Sequence, residues 1–228
     1  MEAVAPTIGL NVLHLFCKAG AGVDRKAFVD AIESCTAGGD GAQVVTATIL
    51  GHKADLAVMA LGPDLRALRE LQSGLDAAGA FVTWSYVSLT EVSEYAAGIP
   101  EEMRQARLYP KLPPDGMPAF CFYPMTKRRE PGSNWYQLPY EERLRLMHGH
   151  GAVGREFRGR VLQLITGSTG LDDWEWGVTL FGVHPDDLKD CVYRMRFDEA
   201  SASYAEFGPF LTGVVGTPEE VLSACGVR

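Results

Sequence analysis

One order of elements is written twice along this 228-residue chain, and no other feature of the sequence limits the fold as much. The first copy opens with an alternating stretch, Ile8 to Phe16, whose period near two predicts a strand. A helical pattern follows from Asp24, a suitable N-cap, to Cys35. Gly38-Gly39-Asp40-Gly41 breaks the chain, and β-rich runs come at Gln43 to Leu50 and Asp55 to Leu61. Pro63 then starts a helix to about Ala78, and Phe81 to Val92 makes the last strand. The second copy repeats the order after a connector with Pro100, Pro110, Pro113 and Pro114. It has strands at Ala119 to Tyr123, Arg160 to Thr166 and Trp174 to Phe181, and helices at Tyr140 to about His150 and from Pro185. The echo is strongest where Leu61-Gly62-Pro63-Asp64-Leu65 matches Phe181-Gly182-Val183-His184-Pro185-Asp186-Asp187-Leu188. Each half is therefore a split β-α-β unit with one bare sheet face, and the natural solution packs the two sheets together with the helices outside.

Charge narrows the class of ligand. The chain carries a net charge of −8, which excludes a general nucleic-acid binder and disfavours an anionic membrane surface. Residues 101–160 reverse the sign, with 11 Lys and Arg against 7 Asp and Glu, where the remainder has 10 against 22. A basic region in an acidic protein suggests a specific anionic ligand. The five cysteines show neither C-x-x-C pairing nor zinc spacing, so reduced thiols in a cytoplasm are expected. No leader pattern and no membrane-spanning apolar run is expected either.

The residues that a scaffold would not need cluster between Phe120 and Thr169. Lys127-Arg128-Arg129 reads equally as a solvated loop or as a clamp for carboxylates or phosphates. His148 and His150 precede Gly151, a helix stop signal, so both fit a C-terminal cap; their i, i+2 spacing keeps them from sharing one metal ion. A single imidazole is, however, how haem iron is commonly held. Gln163 lies in an apolar strand, where its amide either bonds structurally or faces a ligand cavity. Asp172-Asp173 reads as an acidic turn, and His14 as a core residue.

On these residues the chain resembles the chlorite-dismutase-like haem proteins, and among them the coproheme decarboxylase branch. The resemblance rests on Tyr123-Pro124-Met125-Thr126-Lys127, Asn134-Trp135-Tyr136, His150-Gly151-x-x-Gly154-Arg155, Gln163-x-Ile165-Thr166-Gly167-Ser168, Asp172-Asp173-x-Glu175-Trp176-Gly177 and Met195-Arg196-Phe197-Asp198-Glu199. It covers most of the second half, whereas the first half matches only in its order of elements. It implies an α+β fold of two ferredoxin-like βαββαβ repeats forming a dimeric α+β barrel within one chain. Residues 1–110 would be a structural or oligomerising repeat and residues 111–228 the haem-binding, catalytic one. The assembly would be a homopentamer.

Carried over by position, the resemblance makes His150 the axial ligand of the iron and Tyr123 and Lys127 the catalytic residues. Arg107, Tyr123, Pro124, Met125, Thr126, Lys127, Gln163 and Ser201 would bind the substrate, and Glu199 is the candidate partner of the imidazole's other nitrogen. The implied reaction is the last step of the coproporphyrin-dependent haem pathway. Hydrogen peroxide drives loss of CO2 from two propionates of iron coproporphyrin III (coproheme), giving haem b through a three-propionate intermediate. Tyr123 would act as a radical that takes hydrogen from a propionate, with Lys127 assisting. A ferrochelatase delivering coproheme would be a transient partner. A chlorite dismutase is the alternative, but Gln163 stands where those enzymes carry an essential arginine; a haem-binding or haem-transfer protein without turnover is another.

Overall fold

A computed structural model describes residues 2–38, 41–96 and 98–228; Gly39 and Asp40 of the expected glycine-rich break lie outside them. The first repeat runs β1 (Asn11–Lys18), α1 (Arg25–Ala37), β2 (Gln43–Ile49), β3 (Leu56–Gly62), α2 (Leu65–Ala77) and β4 (Phe81–Thr90). Asp24 caps α1 by accepting from the Ala27 amide at 3.0 Å, and Asp64 caps α2 through Arg66 at 3.0 Å. That second cap places the helix start at Leu65, after the proline that the sequence alone suggests.

A connector with a 3-10 turn at Glu94–Ala96 and a helix α3 (Glu101–Leu108) leads into the second repeat. This holds β5 (Ala119–Lys127), α4 (Tyr140–Arg155), β6 (Val161–Gly167), β7 (Trp176–Gly182), α5 (Pro185–Met195), α6 (Glu199–Ala202), β8 (Ala205–Phe207), β9 (Leu211–Gly216) and α7 (Pro218–Ala224). Helix α4 departs from expectation by running past Gly151 to Arg155. A glycine inside a helix costs about 1 kcal/mol, and the packing of α4 on α5 and α6 outweighs it. His148 and His150 are thus interior helix residues and cap nothing.

The strand order is β7-β6-β4-β1-β3-β2-β9-β5-β8, and an added β5–β7 pairing closes the ring. Within each repeat the strands follow the ferredoxin-like order 4-1-3-2, and antiparallel β4–β6 and β2–β9 ladders join the repeats at both edges. The two sheets are therefore not stacked as separate layers. They fuse edge to edge into one barrel, because each repeat leaves two open edges and each edge finds a partner.

Alternation along the strands divides the core. Val12 and Phe16 of β1 point inward with Met59, Tyr86, Phe120, Phe122 and Phe181, and fill the barrel. Leu13, Leu15 and Cys17 point outward under α1, α2 and α7. Each buried aromatic or aliphatic side chain contributes about 1.5–3 kcal/mol. The interior also holds His14, fully buried, with Nε2 2.9 Å from Thr179 Oγ1 of the other repeat and its ring 4.3 Å from that of Phe122.

Burial lowers the His14 imidazole to about 3, so it folds as the neutral ring. An unfolded histidine takes a proton below about 6.5. The stability that His14 contributes is complete above that pH and is lost as pH falls toward the folded value, at up to ~1.4 kcal/mol per pH unit. Urea unfolding of the wild type from about pH 6.5 down to pH 4 will show a slope about one proton steeper than that of His14→Gln. Equal slopes would place the acid sensitivity in other groups.

Candidate functional site

The outer face of the second repeat differs from that of the first. Register aligns Tyr123 with Val178 and Ile165, Cys121 with Leu180 and Gln163, and Met125 with Trp176 and Gly167, all on the face turned away from the barrel. Helix α5 covers one end of this face, where Leu188 and Cys191 pack on Val178 and Leu180. Helix α4 leans instead on α5, α6 and the Glu94–Ala96 turn. It approaches the sheet closely at Gly154, where a Cβ would come within 3.3 Å of Gln163 Nε2. Beyond that contact a gap separates helix from sheet, and Ile165 on its floor is left 42% exposed.

His150, Gly151 and Gly154 share the face of α4 above that floor. The imidazole Nδ1 lies 3.0 Å from Asp198 Oδ2 and 3.4 Å from Ser201 Oγ. Asp198 is the N-cap of α6, where its other oxygen accepts from the Ser201 amide at 3.1 Å. Burial pushes the Asp198 carboxyl up, but the hydrogen bonds from His150 and Ser201 outweigh it and hold the group below its ordinary range. A carboxylate only accepts, so Nδ1 is the donor and Nε2 is the nitrogen left available to a ligand. The expected partner, Glu199, is corrected: its carboxylate meets Arg145 at 3.0 Å on the surface. Capping geometry decides between the two, because the N-cap side chain folds back toward the helix start whereas the next residue points away.

Tyr123 is buried, its ring stacked 4.4 Å from that of Phe210 and edge-on to Phe207 at 5.7 Å. Among the described residues no side-chain hydrogen bond reaches its hydroxyl, and burial, with smaller contributions from Cys121 and Cys191, raises its pKa so that it stays a neutral phenol. Lys127, four residues along the same face, is also buried. Its Nζ donates to the Ala200 carbonyl at 3.0 Å and sits 4.3 Å above the Trp135 ring. Desolvation lowers its ammonium to about 8, against the pull of Asp198 and Glu175.

Of the neighbouring cations, Arg129 pairs with the buried Glu175, whose other oxygen accepts the Lys127 amide at 2.8 Å. The Lys127-Arg128-Arg129 run therefore splits, with Lys127 turned inward and Arg129 anchoring the loop from outside. Sequence reasoning missed this role of Glu175 and the seat that Trp135 gives Lys127, although both residues lie within quoted motifs.

Pro124, Met125 and Thr126 lie on β5 between Tyr123 and Lys127, with Met125 alone of the three on the outer face. The Gln163 amide has no hydrogen bond among the described residues and lies at the gap, which favours the ligand-facing reading. Asp172 accepts from the Val87 amide at 2.9 Å and so ties β4 to the turn before β7. Arg107 stays apart: it is exposed on α3, a helix fastened by Leu108 to Thr90 at 2.8 Å, and makes no hydrogen bond or ion pair among the described residues.

The donor set fits an iron porphyrin. Among the described residues no three His, Cys, Asp or Glu side chains gather to hold a bare ion. A single oriented imidazole suits an iron whose other ligands come from a macrocycle. Gly149 and Gly151 put no side chain beside His150, and the sheet face below carries the apolar Val178 and the exposed Ile165, a lining compatible with a flat ring. Two open grooves of about 370 Å³ lie elsewhere, one between α1 and α2 and one beside α3. No helix among the described residues is long and apolar enough to cross a membrane.

Comparison with known proteins bears on the family and the fold. A family model described as chlorite dismutase matches residues 24–216. A protein of Staphylococcus carnosus named coproheme decarboxylase is 46% identical over 184 residues, covering 76% of this chain and 73% of that one. A longer protein of Natronomonas pharaonis, with a provisional heme-binding name, is 45% identical over 81% of this chain and 33% of its own. Among solved structures, a heme-binding protein from Thermus thermophilus superposes with a TM-score of 0.84 at 34% identity, covering 99% of this chain and all of that one. The chlorite dismutase of Candidatus Nitrospira defluvii, at 19% identity and a TM-score of 0.75 over 96% of both chains, shares the fold. With the matched model spanning most of its length, the chain belongs to the chlorite dismutase family.

Proposed function

We propose that this chain is a coproheme decarboxylase, which uses peroxide to convert two propionates of iron coproporphyrin III to vinyl groups and releases haem b. The observation that carries the reading is a pair of groups on facing elements of the second repeat: His150 on α4, its Nδ1 3.0 Å from Asp198, and on the outer face of β5 the buried Tyr123, whose hydroxyl has no side-chain hydrogen bond among the described residues. The relative named coproheme decarboxylase, 46% identical, supports it. Gln163 on the floor, where a cation would otherwise be expected, supports this reading over chlorite chemistry.

His150 would hold the iron through Nε2, and Asp198 keeps the ring from turning. The bound iron porphyrin would supply the oxidising power that peroxide brings. Tyr123 holds its proton at the phenol oxygen in apolar surroundings, the form from which a hydrogen atom can leave. Met125, Gln163 and Ile165 support the ring face and limit water beside it. Lys127 offers a positive charge at one end of the same face, and Pro124 and Thr126 set its distance from Tyr123. Ser201 steadies His150 Nδ1 from behind, and in the complex it and the exposed Arg107 would be the candidates for contact with propionates. The first repeat, residues 1–110, serves structure and assembly into a homopentamer; the second, residues 111–228, binds and acts. Cytoplasmic residence and transient contact with a ferrochelatase complete the proposal.

Three outcomes test it. Incubated with coproheme and hydrogen peroxide and followed by pigment mass, the wild type will show two successive CO2 losses. Tyr123→Phe will bind coproheme but lose at least ~10²-fold in rate, on the scale of a proton-transfer group; decarboxylation at the native rate would remove Tyr123 from the reaction. Asp198→Asn will weaken porphyrin binding or activity about 10- to 100-fold, the usual cost of losing a ligand's orienting partner.

Coproheme affinity will also fall as pH rises through about 8, because the Lys127 ammonium discharges there. Lys127→Met will bind more weakly at neutral pH and lack that fall; an identical pH profile would detach Lys127 from the propionates.

A further inference from the structure

Glu91 belongs to the connector, one residue beyond β4, yet its side chain lies on the floor of the second repeat. Trp176 Nε1 donates to Glu91 Oε1 at 3.1 Å. Gly167 ends β6 on the outer face, and a Cβ built there would collide with both carboxylate oxygens of Glu91. The missing side chain at residue 167 is thus the seat of a carboxylate supplied by the other half of the chain. With strands about 4.8 Å apart and residues about 3.4 Å apart along them, Gly167 lies roughly 12 Å from Tyr123 across the floor. That span is comparable with a porphyrin ring. A site for a tetra-anion therefore has a fixed negative charge at one end of its floor, held by a hydrogen bond and by the absence of a competing side chain.

We propose that Glu91 is a specificity-determining residue that selects the porphyrin isomer by repelling propionates from its end of the site. The inference rests on the reading of the gap as a coproheme site. In isomer III one ring edge carries two neighbouring methyl groups, and that edge can face Glu91 without bringing two carboxylates together. In isomer I, methyl and propionate alternate around the whole ring, so every orientation sets a propionate near Glu91. Both isomers carry four propionates, and the net charge of the ligand cannot account for a preference between them.

The test is absorbance titration of the ligand-free protein with iron coproporphyrin III and, separately, iron coproporphyrin I. The wild type will bind isomer III more tightly, and Glu91→Gln, which keeps an acceptor for Trp176, will narrow the ratio by about fivefold at low salt, the worth of one carboxylate pair at contact in water. Gly167→Ala, which unseats the carboxylate but keeps its charge, will narrow the ratio as well. High salt will narrow it in the wild type and leave Glu91→Gln little changed. A wild type indifferent to the isomer, or a Glu91→Gln variant with the wild-type ratio, would overturn the assignment while leaving the porphyrin site intact. Failure of both isomers to bind the wild type would overturn the site reading itself.

Discussion

Edge pairing is the constraint on which the rest of this structure depends. Each ferredoxin-like repeat ends in two strands with unpaired backbone groups, and burying such edges without partners is costly. The β4–β6 and β2–β9 ladders, two and four residue pairs long, join these edges and close the sheet. Closure then gives every strand an inside and an outside. The inside is filled by aromatic residues from both repeats, so neither repeat has a barrel core of its own.

What remains is the outer face, and the two repeats treat it differently. In the first, α1 and α2 pack on each other closely enough that a Cβ at Gly74 would sit 2.8 Å from Ala31 Cβ, and α7 closes the layer. In the second, α4 is drawn toward α6 and the connector, where Trp135, Leu146 and Ala200 form a small core of their own. That displacement opens the gap beneath His150. The connector takes part from the other side, with Tyr95 packed edge-on to Trp135 at 6.1 Å and Glu91 seated on Gly167. The site is therefore built largely by the second repeat but bounded by residues that follow the first.

Much of this is legible in the residues. Alternation and caps predict the β-α-β-β-α-β order, because periodicity and N-caps are local properties. Two boundaries slip for physical reasons: α4 continues through Gly149 and Gly151 since tertiary packing outweighs propensity, and β5 extends to Lys127 because pairing with β8 holds its end. Glu199 and Asp198 look equivalent as partners of His150 until the short helix α6 turns one inward and the other toward Arg145. The Lys127 environment is equally hidden, since Ala200 and Trp135 come to it from distant positions. Arg107, drawn into the site by resemblance, instead lies exposed on α3.

By itself the sequence determined the repeated elements, their class, and the residue types gathered in the second half, since these follow from spacing and side-chain chemistry along the chain. Tertiary structure alone decided that the two sheets fuse into a barrel, that α4 stands off from its sheet, and that a carboxylate from the connector lies on the floor opposite Tyr123. These are contacts between residues far apart in the chain. Their geometry depends on how closed edges and packed helices share the remaining space, which no local pattern records.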